Sequence, residues 1–240
     1  MCSIFGFIAR KSSPVDLRIV RNIVEANIRR GPHAFGFAWI DSRSRLHAYK
    51  QCGRLTDMLG VLAMARDARM LVGHLRYATH GEPENNINNH PHPVDGGWLV
   101  HNGMVRNYAE LLNEHGIAPV SECDSEVLAH LIERSEESKY VRRAAETVEQ
   151  TDGNLAMLAL WARPNKLIAV RRGNPLHFGY TTAGLYMATL ADRLPGKVRP
   201  MADNFAIEFN TAGQNTRAVQ LDERAGVVAG LYDLETYRGG

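Results

Sequence analysis

Met1-Cys2-Ser3-Ile4-Phe5-Gly6-Phe7-Ile8-Ala9 opens the chain, and how this stretch is read decides the rest. Residues 3–9 are apolar and β-prone, the pattern of a buried strand. That strand begins directly behind Cys2. Cysteine is small enough for the preceding methionine to be trimmed, which would make Cys2 the first residue. One residue then carries a thiol with an unperturbed pKa of about 8.5 and an α-amine at about 7.7–8.0. Nucleophile and base share a single residue, both poised near neutral pH. Taken alone, a cysteine here is more often just a second residue, so the decision falls to what lies downstream.

Working outward, Ser13-Pro14 reads as the start of a helix over 15–29, with Leu17, Val20, Ile23, Val24 and Ile28 at helical spacing. Gly31-Pro32 stops it. Strands are expected at 35–40, 46–51, 70–75 and 98–101, with a short helix at 57–66. Residues 76–93 read as an irregular loop rich in asparagine, histidine, glycine and proline, long enough to be functional. Helices follow at 107–115, 124–135 and 141–150, then a hairpin of 154–162 and 166–171. Strands at 184–190, 205–209, 216–221 and 227–231 complete the pattern. There is no internal repeat and no linker-like boundary. The expectation is one α+β domain over 1–240, layered with helices outside and sheets inside.

Composition narrows the function. Net charge is +2 and basic residues occur as isolated pairs such as Arg29-Arg30 and Arg171-Arg172. Neither supports a nucleic-acid partner or an anionic membrane surface. The three cysteines, Cys2, Cys52 and Cys123, are too few and too scattered for a disulfide framework. Arg10, Lys11 and Asp16 interrupt any signal-peptide core, and no stretch nears the roughly 18 apolar residues of a membrane span. The expected setting is cytoplasmic and reducing, which keeps a thiol at Cys2 active.

Four constellations carry chemistry. In 74–83 (His-Leu-Arg-Tyr-Ala-Thr-His-Gly-Glu-Pro), Arg76 stands at a strand end beside a glycine loop, placed to hold a carboxylate bidentately. His101-Asn102-Gly103 follows an apolar strand; an Asn amide and a Gly N–H can point at one oxygen, as an oxyanion hole requires, although Asn-Gly is also the commonest turn dipeptide. In 121–126 (Ser-Glu-Cys-Asp-Ser-Glu), Ser121 or Asp124 can cap the following helix, or Asp124 can face a substrate cation. His90-Pro91-His92 hints at metal, but no carboxylate or thiol stands at ligand spacing, and zinc needs three or four ligands. No metal and no cofactor are expected.

Together, Cys2, residues 74–83, Asn88-Asn89-His90-Pro91-His92, Val100-His101-Asn102-Gly103 and Ser121–Val127 resemble the class II glutamine amidotransferases, which are N-terminal-nucleophile hydrolases. Within that group the wording is most like the glutaminase domain of glucosamine-6-phosphate synthase. The resemblance runs from Cys2 to about residue 200. It implies a four-layer αββα sandwich with two stacked sheets. It implies hydrolysis of L-glutamine to glutamate and ammonia through a thioester on Cys2. Carried over by motif, Arg76 holds the substrate α-carboxylate and Asp124 its α-ammonium. Asn102 and Gly103 form the oxyanion hole, and Tyr77, Thr79 and His80 shape the pocket. Arg30-Gly31 matches an Arg-Gly near the active site, and Gly173-Asn174-Pro175-Leu176 a Gly-Ser-Pro-Leu turn.

The residue chemistry points the same way. Glutamine is a zwitterion, and Arg76 with Asp124 supplies one cation and one anion for its two ends. Some positions depart from the family pattern. Pro32-His33-Ala34-Phe35-Gly36 replaces Tyr-Asp-Ser-Ala-Gly, and Thr189-Leu190 replaces Ser-Asp. The sugar-isomerase domains of the full synthase do not follow within the 240 residues, so aminosugar synthesis by this chain alone is not expected. The partners expected are L-glutamine and a synthase or acceptor subunit in trans, with self-association left open. Two rival readings stand beside this one: an N-terminal-nucleophile hydrolase of another amide, and a catalytically silent regulatory module on the same fold.

Overall fold

The computed structural model describes residues 1–10, 15–53 and 58–221. The Ser13-Pro14 helix start, the opening of the 57–66 helix and the strand expected at 227–231 lie outside them.

The opening strand, β1 (Ser3–Ala9), is buried along its whole length. Alternate side chains of a strand point to opposite faces. Ile4 and Ile8 face one hydrophobic layer and Phe5 and Phe7 another, so both faces of β1 are covered. A strand covered on both faces has no polar side to show, which explains its unbroken apolar run.

Around β1 stand β2 (Ala34–Asp41), β3 (Leu46–Cys52) and β4 (Ala68–Arg76). With β9 (His177–Tyr180), β10 (Gly184–Ala188) and β11 (Lys197–Pro200) they form a seven-stranded sheet in the order β11-β9-β10-β1-β4-β2-β3. The second sheet contains β5 (His92–Val94), β6 (Gly97–Gly103), β7 (Leu155–Ala162), β8 (Asn165–Arg172), β12 (Phe205–Phe209) and β13 (Asn215–Gln220), in the order β13-β12-β8-β7-β6-β5. Neighbouring strands pair antiparallel.

Ile4, Ile8, Val72, Val100, Leu158, Met187 and Phe209 fill the layer between the sheets. On the outer side of the first sheet, Val20, Ile23 and Val24 of α1 (Leu17–Asn27) pack on Phe5, Phe7 and Phe37. On the outer side of the second, α4 (Glu126–Arg134) and α5 (Tyr140–Glu149) bring Val127, Leu131, Val141 and Val148 onto Met157, Trp161 and Val170. The short helices α2 (Met58–Leu62) and α3 (Tyr108–Glu114) complete the set. The expected four layers, helix-sheet-sheet-helix, are present.

Three details differ from the sequence reading. The α1 N-cap is Asp16, whose side chain accepts the Arg18 N–H at 3.0 Å. Asn102 and Gly103 continue β6, opposite Ala156 and Leu155, instead of forming a turn. The strands β5, β9 and β11 were not expected; each is only three or four residues long, too short for alternation to register. Among the described residues, no helix is long and apolar enough to cross a membrane.

Candidate active site

Register brings the motifs together. Ser3 of β1 pairs with Leu75 of β4, so Cys2 comes to lie beside the chain that leaves β4 at Arg76 and Tyr77. The Tyr77 N–H donates to Cys2 Sγ at 3.3 Å, and Sγ lies 3.5 Å from the Tyr77 carbonyl. Arg30 Nε donates to the Cys2 carbonyl at 3.0 Å. Ser3 Oγ donates to Asn27 at 2.6 Å. The chain at Cys2 and Ser3 is therefore held by Tyr77, Arg30 and Asn27. Met1 itself is exposed, open to removal.

Across from Cys2, β6 delivers Asn102 and Gly103. Cys2, Tyr77, Thr79, Asn102 and Gly103 line one cavity of about 280 Å³, together with Met1, Met104, Arg106, Gly153, Asn154 and Asn174. Gly103 is required where it stands. A Cβ there would lie 2.3 Å from the Asn154 carbonyl oxygen, well inside any tolerable contact. Burial pushes the Cys2 thiol above its ordinary value; the Tyr77 N–H, the chain's amino group and Arg76 pull the other way, and Asp124 adds to the rise.

Arg76, Asp124, His80 and Arg30 do not line this cavity, although Arg76 and Asp124 stand near enough to act on the thiol. Arg76 is buried. Its guanidinium donates to Asn89 Oδ1 at 2.7 Å, to the Gly81 carbonyl at 3.0 Å and to the His80 carbonyl. It thus ties down the 77–81 loop from beneath. Asp124 accepts the Val105 N–H at 2.8 Å through Oδ2, while Oδ1 has only long contacts, with Ser125 Oγ at 3.4 Å and Cys123 Sγ at 3.8 Å. Its second oxygen keeps capacity for a cation. His80 rests edge-on against Tyr108, ring centroids 5.8 Å apart.

Three residues here were named in the sequence comparison without a role in the site. Thr189 Oγ1 accepts the Ile4 N–H at 2.9 Å and lies 3.5 Å from Asn102 Nδ2, so one hydroxyl joins the ends of β1 and β6. The signal was the place of residue 189 directly after the strand that pairs with β1. Asn174 Nδ2 donates to the Asn102 carbonyl at 2.8 Å. His33, which stands where the family pattern has another residue, accepts the Ala78 N–H at 3.0 Å and packs on Tyr77.

Next to the site lies a cluster of buried histidines. Ring centroids are 4.0 Å apart for His74 and His90, 4.5 Å for His90 and His92, and 6.5 Å for His90 and His101. Burial, reinforced by neighbouring positive charge, holds His74 and His90 well below the usual histidine range and His92 at about 3. Both ring nitrogens of His90 and the Nε2 atoms of His74, His92 and His101 have no hydrogen-bond partner among the described residues. The third ligand that sequence spacing did not show is supplied by the fold: ligand atoms of His90, His92 and Cys123 all lie within 4.8 Å of one another.

Residues 84–195 match the model of a glutamine amidotransferase domain family. The chain is 34% identical over 197 residues to the glutamine–fructose-6-phosphate aminotransferase (isomerizing) of Aquifex aeolicus, covering 79% of this chain and 32% of that protein. It is 35% identical over 195 residues to the enzyme of the same name from Aeropyrum pernix, covering 75% and 30%. The chain thus spans about a third of the length of these curated relatives. Among solved structures, it superposes on the glutamine phosphoribosylpyrophosphate amidotransferase of B. subtilis with a TM-score of 0.76 at 22% identity, covering 91% of this chain and 49% of that one. A glutamine aminotransferase class-II domain protein from Silicibacter pomeroyi gives 0.64 at 15% identity, over 92% and 100%. The two-sheet sandwich is shared with both.

Proposed function

We propose, from the premise that this chain carries a class II glutamine amidotransferase domain, that it hydrolyses L-glutamine and hands the ammonia to a synthase or acceptor partner. The observation that carries the reading is the meeting of the Cys2 thiol with Asn102 and Gly103 on one cavity wall. A thiol opposite an amide and a backbone N–H suits attack on a carboxamide better than any other common reaction.

Removal of Met1 frees the Cys2 α-amine. That amine takes the thiol proton, and Sγ attacks the side-chain carbonyl carbon of glutamine. The carbonyl electrons move to oxygen, where the Asn102 amide and the Gly103 N–H stabilise the charge; loss of one such donor typically costs about 100- to 1,000-fold in rate. The protonated Cys2 amine gives its proton to the amide nitrogen, the intermediate collapses, and the C–N bond breaks to release ammonia. A γ-glutamyl thioester remains on Cys2. Water, deprotonated by the same amine, then attacks it to give glutamate and the free thiol.

Asp124, through its uncommitted oxygen, is assigned the α-ammonium of glutamine, and Arg76 the α-carboxylate. Two of the five Arg76 N–H donors are engaged by the 77–81 loop and a third by Asn89, which leaves others for the carboxylate. Tyr77, Thr79 and His80 are read as shaping the pocket, and Arg30 as steadying Cys2. No cofactor takes part. The domain is read as one unit over 1–240, acting in the cytoplasm.

The test is ammonia release from glutamine, asparagine and simple amides by the purified chain, with mass spectrometry of its N-terminus. Loss of Met1, preference for glutamine and complete loss of turnover in Cys2→Ala are expected. Turnover with Met1 intact, or unchanged turnover in Cys2→Ala, would sink the mechanism.

A further inference from the structure

The histidine cluster has no part in the reaction just described, and its chemistry is that of a ligand set. His90 and His92 are buried and bring ring nitrogens that bond to nothing else among the described residues. Cys123 is also buried, and its thiol makes a long contact of 3.8 Å with Asp124. Unpaired buried polar atoms are costly. Unpaired nitrogens of His90 and His92 converging with a buried thiol from a separate segment call for an explanation.

We infer that His90, His92 and Cys123 form a binding site for a thiophilic d10 cation, Cu(I) ahead of Zn(II). Soft thiolate and imidazole ligands select these two ions over magnesium, calcium or manganese, which prefer oxygen. The ligand atoms lie within 4.8 Å of one another. Bonds of about 2.0–2.3 Å bring such atoms to roughly 3.4–3.8 Å apart, so closure needs a shift on the order of 1 Å. On binding, the Cys123 S–H bond breaks, a sulfur–metal bond forms and the proton leaves to solvent.

Charge orders the two ions. Arg76 and Lys50 face the cluster with positive charge, and Asp124 and Glu126 with negative. These four offset one another. One thiolate then cancels a single positive charge, which leaves a buried Cu(I) site neutral and a Zn(II) site positive. Three ligands also suffice for Cu(I), whereas structural zinc takes four.

A bound ion would pin the 88–92 segment to the start of α4. Those segments are already joined by Asn88 Nδ2 to Glu122 Oε2 at 3.1 Å and by the Glu122 N–H to Asn88 Oδ1 at 2.9 Å. It would thereby set the position of Asp124. The site itself does not depend on the glutaminase reading.

The experiment uses the full chain carrying Cys2→Ala and Cys52→Ala, so that Cys123 is the remaining thiol. Cu(I), delivered anaerobically against a competing chelator, and Zn(II) are each titrated, with Co(II) as the spectroscopic stand-in for zinc. One equivalent per chain, a thiolate-to-cobalt charge-transfer band and a raised melting temperature are expected. Adding Cys123→Ser should remove the band and weaken binding by at least about 100-fold, beyond what changes outside the ligand shell do. His92→Gln, read by the same band, serves if Cys123→Ser does not fold. Retention of either ion through Cys123 supports the site. Binding no tighter than about 10 μM for both ions, or binding that survives Cys123→Ser and His92→Gln, overturns it.

Discussion

The chemistry rests on few side chains, and two of them can be tested apart from the nucleophile. Thr189 touches no substrate in the proposed reaction; it positions Asn102 through one hydroxyl that also takes the Ile4 N–H. Thr189→Val keeps the shape and removes that link. A lost hydrogen bond of about 1–1.5 kcal/mol corresponds to roughly tenfold in rate. The loss should fall on kcat with KM unchanged, and Thr189→Ser should restore it; a change confined to KM would contradict the positioning role. Asp124 is the complementary case. A charge-assisted contact of the kind proposed between it and the α-ammonium is worth about 1.5–3 kcal/mol. Asp124→Asn should therefore cut kcat/KM for glutamine about 10- to 150-fold and leave an amide without the α-amine nearly unaffected. Parallel kinetics on the two substrates decide this. The neighbourhood of Cys2, Asn102 and Gly103 on one cavity was legible in sequence because each sits at the end of a recognisable element. Thr189 stood out only as a departure from the family pattern; its partners, 87 and 185 positions away, could not be read from its surroundings.

At the scale of elements, the β2–β3 hairpin shows how one buried carboxylate closes a turn. Asp41 Oδ1 accepts the Arg43 and Arg45 N–H groups at 2.8 and 2.9 Å, and Oδ2 meets Arg45 Nε at 2.7 Å and His47 Nε2 at 3.1 Å. Burial alone would raise its pKa, but these hydrogen bonds together outweigh burial and hold the carboxyl well below the usual carboxylate range. A depressed folded-state pKa stabilises the fold above the unfolded value, near pH 3.9. That contribution is lost as pH falls toward the folded value. Asp41→Ala should cost about 1.5–3 kcal/mol at neutral pH, a fall of roughly 3–12 °C in melting temperature. The gap between wild type and variant should narrow below about pH 4, as thermal denaturation across pH would record; a gap independent of pH would refute the assignment. Sequence showed only that a turn must join the strands expected at 35–40 and 46–51. The elements themselves were mostly legible, because long strands and the amphipathic α1, α4 and α5 carry strong periodicity. The edge pieces β5, β9 and β11 draw their structure from the neighbour they pair with rather than from any pattern of their own.

At the scale of the whole molecule, what sequence could not supply was the order of strands. Runs of apolar residues announce burial but not which strand lies beside which, and β10 reaches β1 from 180 positions away. The resemblance implied two stacked sheets, and the register now shows why the stack matters: Cys2 is carried by one sheet and Asn102 by the other. Their spacing is set by the apolar layer between the sheets. Gly6 is the sensitive point of that layer. A Cβ on it would sit 3.0 Å from Leu158 Cδ1 and 3.3 Å from the Leu71 carbonyl oxygen, so one methyl crowds the Leu158 side chain of β7 and its neighbours must give by a few tenths of an ångström. Overpacking of this kind costs typically 1–3 kcal/mol, and Leu158→Ala, which empties the same space, about 2–5 kcal/mol. The two changes act on one gap from opposite sides. Combined, Gly6→Ala and Leu158→Ala should lose at least about 1 kcal/mol less stability than the sum of the single variants, and turnover lost in Gly6→Ala should partly return. Denaturant unfolding of all four proteins, with ammonia release measured beside it, closes the cycle. Additive losses would mean that the distance between nucleophile and oxyanion donor is set by the hydrogen bonds at the strand ends and not by the packing between the sheets.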